Sequence, residues 1–424
     1  MKKSLFALAV CLAAAAPASA TNGMRMPGFG PVQNSMGGVS IGANLDGSSI
    51  LSNPAGLTGL PAQVEVGVTY FRPSVSYSGV ESPMPTGFTG AVIAQPGLQL
   101  DSGRGASPIP SLAYVRPIND QFVFGLGAFG VSGMGVDYGL NLYGGSTYTS
   151  YLQARLAPAI AYKATERLSL GLTLNAMVAQ VSWNAAAGLG QQPHQTDSAL
   201  GIGATVGVRY IATDWLALGA AYESRSYFQD FSFDIPAHQA VDPATFSTVS
   251  VPAGTDKLSF DQPMSAAFGF ALTPIEPLLI AADVQWINWA ATNGSQRPAF
   301  SQNQSAAMPW DMGWRNQWVF KVGAQVAPIE NLKVRAGYNY GRMPLDPNRA
   351  FENLAFPAIA EHHVSLGAGY DFGHLTVNAG GTYSPKATLS GSNAAYPANG
   401  GQAIQSYTTS MSQFALDAGI IWRL

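Results

Sequence analysis

The chain has 424 residues, of which 47% are hydrophobic, 11% aromatic and 11% charged, whereas a soluble domain carries about 25% charged residues. Low charge with high hydrophobicity excludes an intrinsically disordered chain. The net charge of −3 and the absence of any Lys/Arg cluster argue against a nucleic-acid partner, and 47 glycines and 28 prolines do not suit a helical bundle.

The first twenty residues have the pattern of an export signal. Lys2 and Lys3 precede an apolar run, and Ala18-Ser19-Ala20 is a small-residue cleavage site. The sequence therefore predicts a signal peptide over 1–20. The single cysteine, Cys11, falls inside it, so we expect neither a disulfide nor a metal site, and no cofactor.

No apolar run long enough for a transmembrane helix follows the signal. Only helices and closed barrels satisfy their backbone in lipid. An exported, apolar and aromatic-rich chain therefore points to a barrel, and the local patterns agree with one. For example, Trp318, Phe320 and Val322 alternate with Lys321 and Gly323, the period of two expected of a strand with one face in lipid.

The alternation predicts an all-β fold, a transmembrane antiparallel 14-stranded β-barrel over 63–424. Tight turns alternate with mostly long loops, which predicts periplasmic termini and long loops outside the cell. Residues 21–62 precede the first strand and predict an N-terminal hatch (plug) in the lumen. The predicted strands are 63–75, 110–118, 120–132, 150–163, 166–184, 197–212, 214–229, 258–274, 276–290, 314–327, 331–343, 361–372, 373–385 and 410–424.

The motif Asn53-Pro54-Ala55-Gly56 follows a glycine-rich stretch and precedes the first predicted strand. Further along, the strand segments include Val334-Arg335-Ala336-Gly337-Tyr338. The motif most strongly, and these segments in the same order along the chain, resemble the FadL-type transporters of long-chain fatty acids and hydrocarbons. One departure is the C-terminus, which ends in Leu424 rather than in the aromatic residue usual for such barrels.

The resemblance implies a lumen closed by the hatch and a ligand path that starts among the extracellular loops. It also implies a pocket beside the hatch and lateral release through the barrel wall, near a kink in a strand. The implied location is the outer membrane of a Gram-negative bacterium. The implied partners are a hydrophobic small molecule and membrane lipid, and we expect a monomer.

Motifs that suggest enzymes have simpler explanations, so we expect no catalytic residues and no enzyme. Gly38-Val39-Ser40-Ile41-Gly42 matches a nucleophile elbow but lacks a helical period after it. A dinucleotide-type glycine pattern at 125–130 lies inside an alternating strand. His362 and His363 are adjacent on a strand and should point to opposite faces, which makes them a poor metal chelator.

Ionisable residues in lumen positions are the candidates for holding either the hatch or a ligand. Among them, Arg155 and Lys321 are the preferred pair for a ligand carboxylate. Phe231, Phe233 and Ile235 lie in a long loop and predict an apolar entrance groove, with self-packing of the loop as the alternative. The lumen set is Glu65, Arg155, Arg209, Glu223, Arg225, Asp283, Lys321, Lys333, Arg335, His363 and Asp417.

Three functions remain open from the sequence. The first is a passive outer-membrane channel for hydrophobic compounds, either fatty acids or aromatic hydrocarbons. The second is a structural or adhesive barrel without transport. The third is a barrel-embedded lipid hydrolase, which would need a Ser–His pair within hydrogen-bond reach.

Overall fold

The computed structural model describes residues 22–80, 98–139, 148–183, 195–241, 247–294, 312–350, 353–354, 356–391 and 406–424. The expected signal peptide over 1–20 lies outside these residues. Across these ranges, no helix has both the length and the apolar character to cross a membrane.

Fourteen antiparallel strands close into a barrel, because β1 pairs with β14 on one side and with β2 on the other. This confirms the 14-stranded fold. The strands are β1 (Gln63–Val80), β2 (Ser107–Pro117), β3 (Phe122–Met134), β4 (Thr149–Lys163), β5 (Leu168–Trp183), β6 (Gln195–Thr213), β7 (Leu216–Glu223), β8 (Ser265–Ile275), β9 (Leu278–Ile287), β10 (Gln317–Ile329), β11 (Leu332–Gly341), β12 (His362–Asp371), β13 (Leu375–Gly391) and β14 (Ser406–Arg423).

Strand ends differ from expectation mainly at the end of the barrel that carries the long loops. β7 stops at Glu223 rather than continuing to 229, and β8 begins at Ser265 rather than at 258. Between them Arg225 forms an ion pair with Asp261, so Arg225 belongs to the loop and not to a lumen-facing strand position. Further short strands of the loops are Leu98–Asp101, Tyr227–Phe228, Phe231–Ile235, His238–Val241, Thr248–Val251 and Gly254–Leu258.

The outer face of the barrel is apolar. On β10 the side chains of Trp318, Phe320 and Val322 are 55%, 51% and 46% exposed, and the intervening residues face inward. The inward residues include Asp283 and Arg335, which are buried, whereas Lys333 is exposed near the short-turn end. The alternation of residue types along the sequence therefore predicted correctly, for most of these residues, whether the side chain faces lipid or the lumen. The reason is that successive side chains of a strand point to opposite sides.

Residues 22–62, here called the N-terminal segment, pack against the inner face of the barrel. The segment contains α1 (Gly30–Ser35), α2 (Ser49–Ser52) and the 3₁₀ helix Pro54–Gly59. α1 contacts β1, β11, β12, β13 and β14, and the 3₁₀ helix contacts β3 to β6.

Inward-facing glycines of the wall allow backbone-to-backbone packing with this segment. A Cβ added at Gly219 would lie 1.9 Å from the carbonyl oxygen of Ile41, and one at Gly337 would lie 2.0 Å from the nitrogen of Gly37. Such distances are not possible for real atoms, so these two wall positions need glycine for close approach.

Candidate functional site

A cavity of about 60 Å³ lies between the N-terminal segment and the wall formed by β6 to β10. We call it the central cavity. Its lining is mixed, which suits a molecule with an apolar body and a polar end. Apolar lining comes from Met26, Phe29, Ile41, Leu51 and Ile287, and polar lining from Arg25, Gln33, Thr205, Glu223, Gln285 and Lys321.

Arg25, Glu223 and Arg155 form a buried ion triad at this cavity. Glu223 accepts from Arg25 Nη1 at 2.8 Å through one oxygen and from Arg155 Nη2 at 2.7 Å through the other. Arg25 also donates to the carbonyl of Pro263 at 2.6 Å. The triad carries two positive charges and one negative, and it ties the N-terminal segment to β4 and β7.

Lys321 of β10 and Asp283 of β9 attach the segment to a neighbouring part of the wall. Lys321 Nζ donates to the carbonyls of Pro27 at 2.9 Å and Gly38 at 3.2 Å. Asp283 Oδ2 accepts from the backbone N–H groups of Ser40 at 2.7 Å and Ile41 at 3.1 Å. These residues therefore satisfy backbone groups that have no helix or ladder partner.

The Asn-Pro-Ala-Gly motif forms a third attachment. Asn53 is fully buried, and its Nδ2 donates to the carbonyls of Ile41 at 2.7 Å and Val208 at 3.0 Å. Its Oδ1 accepts from Ala55 N at 3.3 Å and caps the 3₁₀ helix that Pro54 begins. Gly56 is in close contact with Asn44, which leaves no room for a side chain.

An apolar cluster, here called the loop cluster, covers the long-loop end of the cavity. Phe231 is fully buried in it and Phe233 is 7% exposed, while the side chain of Ile235 lies outside the described part. Trp289 and Trp314 meet edge to face at 4.9 Å, and Met24 of the N-terminal segment is buried in the same cluster. An entrance groove at these phenylalanines stays a prediction.

The barrel wall contains a seam between β2 and β3. Their ladder runs from Pro117 only as far as the pair Ser111–Phe129, although both strands continue beyond it. Pro108 and Pro110 lack the N–H groups that a ladder needs on one side of β2. In β3 a register shift separates Gly130 from Ser132, which is the signature of a bulge.

The N-terminal segment occupies the inner side of this seam. Met26 N donates to Val131 O at 3.4 Å, and Ser132 Oγ donates to Met24 O at 2.5 Å. Ile109 of β2 packs with Met26 and Phe71 in a small apolar cluster. The segment therefore takes over part of the pairing that β2 leaves unmade on β3.

The sequence pointed to Arg155 and Lys321. The structure pairs Arg155 with Glu223 and Lys321 with two carbonyls of the N-terminal segment. Their contact with a ligand stays a prediction. Arg25 and the seam were missed, although the two prolines at 108 and 110 carried a signal. The predicted start of this strand at 110 was three residues late, because the strand begins at Ser107.

Comparisons with known proteins agree with this architecture. The profile of a family described as "Outer membrane protein transport protein (OMPP1/FadL/TodX)" matches residues 8–416. Outer membrane protein P1 of Haemophilus influenzae is 25% identical, the match covering 65% of each chain, and the protein of that name from strain Rd is 25% identical over 80% of each. The chain thus spans 65% of the first relative's length.

Two solved structures share the fold. The Pseudomonas putida toluene transporter TodX superposes with a TM-score of 0.72 at 18% identity, covering 94% of this chain and 99% of that one. A Pseudomonas aeruginosa FadL homologue gives 0.74 at 18% identity, covering 95% and 99%. The chain belongs to the outer membrane protein transport family (OMPP1/FadL/TodX), a family of transport proteins rather than enzymes, and it is a β-barrel protein of the Gram-negative outer membrane.

Proposed function

We propose that the protein is a passive channel for hydrophobic compounds such as long-chain fatty acids. The ligand enters among the long loops, widens the central cavity by displacing part of the N-terminal segment, which acts as a hatch, and leaves sideways through the seam. The proposal rests mainly on Met24 to Met26. These three consecutive residues connect the loop cluster, the central cavity and the seam.

Met24 is buried in the loop cluster, Arg25 lines the central cavity, and Met26 borders both the cavity and the seam. A ligand that displaces this short stretch therefore gains a continuous path from the loops to the wall. Methionine suits such a path because its flexible, polarisable side chain adapts to varied apolar surfaces.

Lateral exit agrees with the physics of an apolar ligand. Each methylene that returns from water to lipid gains about 0.8 kcal/mol, so an exit into the bilayer is favoured over an exit into water. The seam offers such an exit because no ladder hydrogen bonds have to break between Ile109 and Gly130. Because this transfer from water to lipid is favourable by itself, transport of the ligand needs no nucleotide.

The charges of the cavity favour a ligand with an anionic head. Arg25 and Lys321 line it together with a single carboxylate, that of Glu223. An ionised head that leaves water needs such donors. A neutral aromatic hydrocarbon is the second candidate, because it needs no cation. Arg155 and Lys321, the pair predicted from the sequence, already have partners: Glu223 for Arg155 and two carbonyls for Lys321.

Removing the two cations separates these candidates. With Arg155→Ala/Lys321→Ala we expect uptake of a long-chain fatty acid to fall about tenfold or more, since a charge-assisted hydrogen bond contributes about 1.5–3 kcal/mol, while toluene uptake changes little. Initial uptake rates of both labelled compounds in one strain measure this.

The matched control is Arg116→Ala/Lys163→Ala, which removes two cations from the exposed short-turn end and should change neither rate. Equal loss of both compounds in the first variant would assign the pair to holding the hatch. No loss of either would remove the pair from the ligand site.

A further inference from the structure

A polar patch interrupts the apolar outer face of the barrel on β13, β14 and β1. Arg72 and Ser74 of β1 are exposed, and Ser74 is the ladder partner of Ser412 on β14. Lys386 of β13 is also exposed. It lies at a bulge, where the register shifts between Ser384 and Ala387, and bulges re-aim side chains.

The patch adjoins a group of lipid-facing aromatics, on their long-loop side. Tyr70 is the neighbour of Arg72 on the same face of β1, and its ring is 6.0 Å from that of Phe414. Tyr383 pairs with Phe414 and is 56% exposed. Such aromatics mark the membrane interface, so Arg72 and Lys386 lie at the level of lipid head groups on the long-loop side.

No carboxylate pairs with either cation among the residues that the structure describes. Asp101 lies opposite Ser76, four residues along β1 from Arg72, or about 13 Å. The two cations stand on strands that flank β14, about 10 Å apart across the sheet. Lys386 is also offset along the strands, because Arg72 is level with Tyr383, three residues before Lys386. Ser412 lies on the intervening strand β14, and its partner Ser74 follows Arg72 on the same face of β1.

We propose that this patch binds the phosphate of a phosphorylated glycolipid in the outer leaflet. Arg and Lys are the usual phosphate partners, and hydroxyls supply further donors. The lipid anchor follows from position, because the adjoining aromatics face the acyl chains. The site stands on the outside of the wall and does not depend on the proposed transport function.

Native mass spectrometry of the detergent-purified full chain tests the proposal with a diphosphorylated glycolipid and its dephosphorylated form. We expect the wild type to prefer the phosphorylated lipid and Arg72→Ala/Lys386→Ala to bind it about 30-fold more weakly, given the usual gain per basic residue at a lipid surface. Arg72→Lys/Lys386→Arg should retain binding, and Arg116→Ala/Lys163→Ala should behave as wild type.

A third arm adds inorganic phosphate at the lipid's concentration. Retention of the glycolipid supports a lipid site, whereas full displacement would show a site for free phosphate and overturn the lipid assignment. Equal binding of both glycolipids by the wild type would also overturn the proposal. So would a loss of glycolipid binding in Arg116→Ala/Lys163→Ala as large as that in Arg72→Ala/Lys386→Ala. A heat-modifiable gel band confirms that each variant is folded.

Discussion

Joining β2 to β3 by a disulfide is expected to stop the uptake of hydrophobic compounds while leaving the barrel folded. A Cβ added at Gly130 lies 3.9 Å from the Cβ of Ile109, inside the 3.5–4.5 Å range typical of disulfides. Ile109→Cys/Gly130→Cys should therefore form the bond under oxidising conditions. Uptake should fall to the level of cells without the protein and return when a reductant is added.

A staple across a seam that is already paired provides the control. Ser182 and Thr196 are ladder partners of β5 and β6, with their hydroxyl oxygens 2.7 Å apart. Ser182→Cys/Thr196→Cys should leave uptake unchanged in both redox states. Unchanged uptake with the oxidised β2–β3 staple, its formation verified by mass, would show that ligands do not leave through this seam.

Glu223→Gln is expected to destabilise the protein by about 3–5 kcal/mol. The substitution leaves Arg25 and Arg155 buried side by side without their shared carboxylate, and an uncompensated buried charge has about this cost. Arg25→Gln should cost less, because Glu223 keeps Arg155 as a partner. The double variant Arg25→Gln/Glu223→Gln should be more stable than the sum of the two single effects predicts.

Unfolding of the vesicle-reconstituted protein in denaturant measures these free energies. The matched control is Glu166→Gln, which breaks the exposed pair Lys163–Glu166 and should change stability by about 0–1 kcal/mol. A cysteine at Ser52, which lines the central cavity, should also react faster with a thiol reagent in Glu223→Gln. An effect of Glu223→Gln no larger than that of Glu166→Gln would contradict a role of the triad in holding the segment.

The barrel could be predicted from the sequence because lipid imposes one rule on every strand. Outward residues such as Trp318 must be apolar, and inward residues such as Lys321 need not be. The same rule does not say where a strand ends above the membrane, so β7 and β8 were predicted too long. The ends of these strands depend instead on contacts within the loop, such as the ion pair of Arg225 with Asp261.

The site was harder to predict because its partners are far apart in the chain. Arg25 and Glu223 are separated by 198 residues, and no local pattern relates them. Inward glycines such as Gly219 and Gly337 receive the backbone of the N-terminal segment, a contact that the local alternation does not indicate. The break between β2 and β3 likewise depends on pairing, which alternation alone does not determine.

The central claim is that apolar molecules cross while the N-terminal segment keeps the lumen closed to water-soluble ones. The most direct measurement compares two solutes in the same cells, which express the full chain and lack other fatty-acid uptake. We predict a rise in the initial uptake rate of a labelled long-chain fatty acid over cells with an empty vector. Entry of a small hydrophilic β-lactamase substrate into the periplasm should stay at the empty-vector rate. Fatty-acid uptake that does not rise, or that rises together with entry of the hydrophilic solute, would contradict a closed lumen with a lateral apolar path.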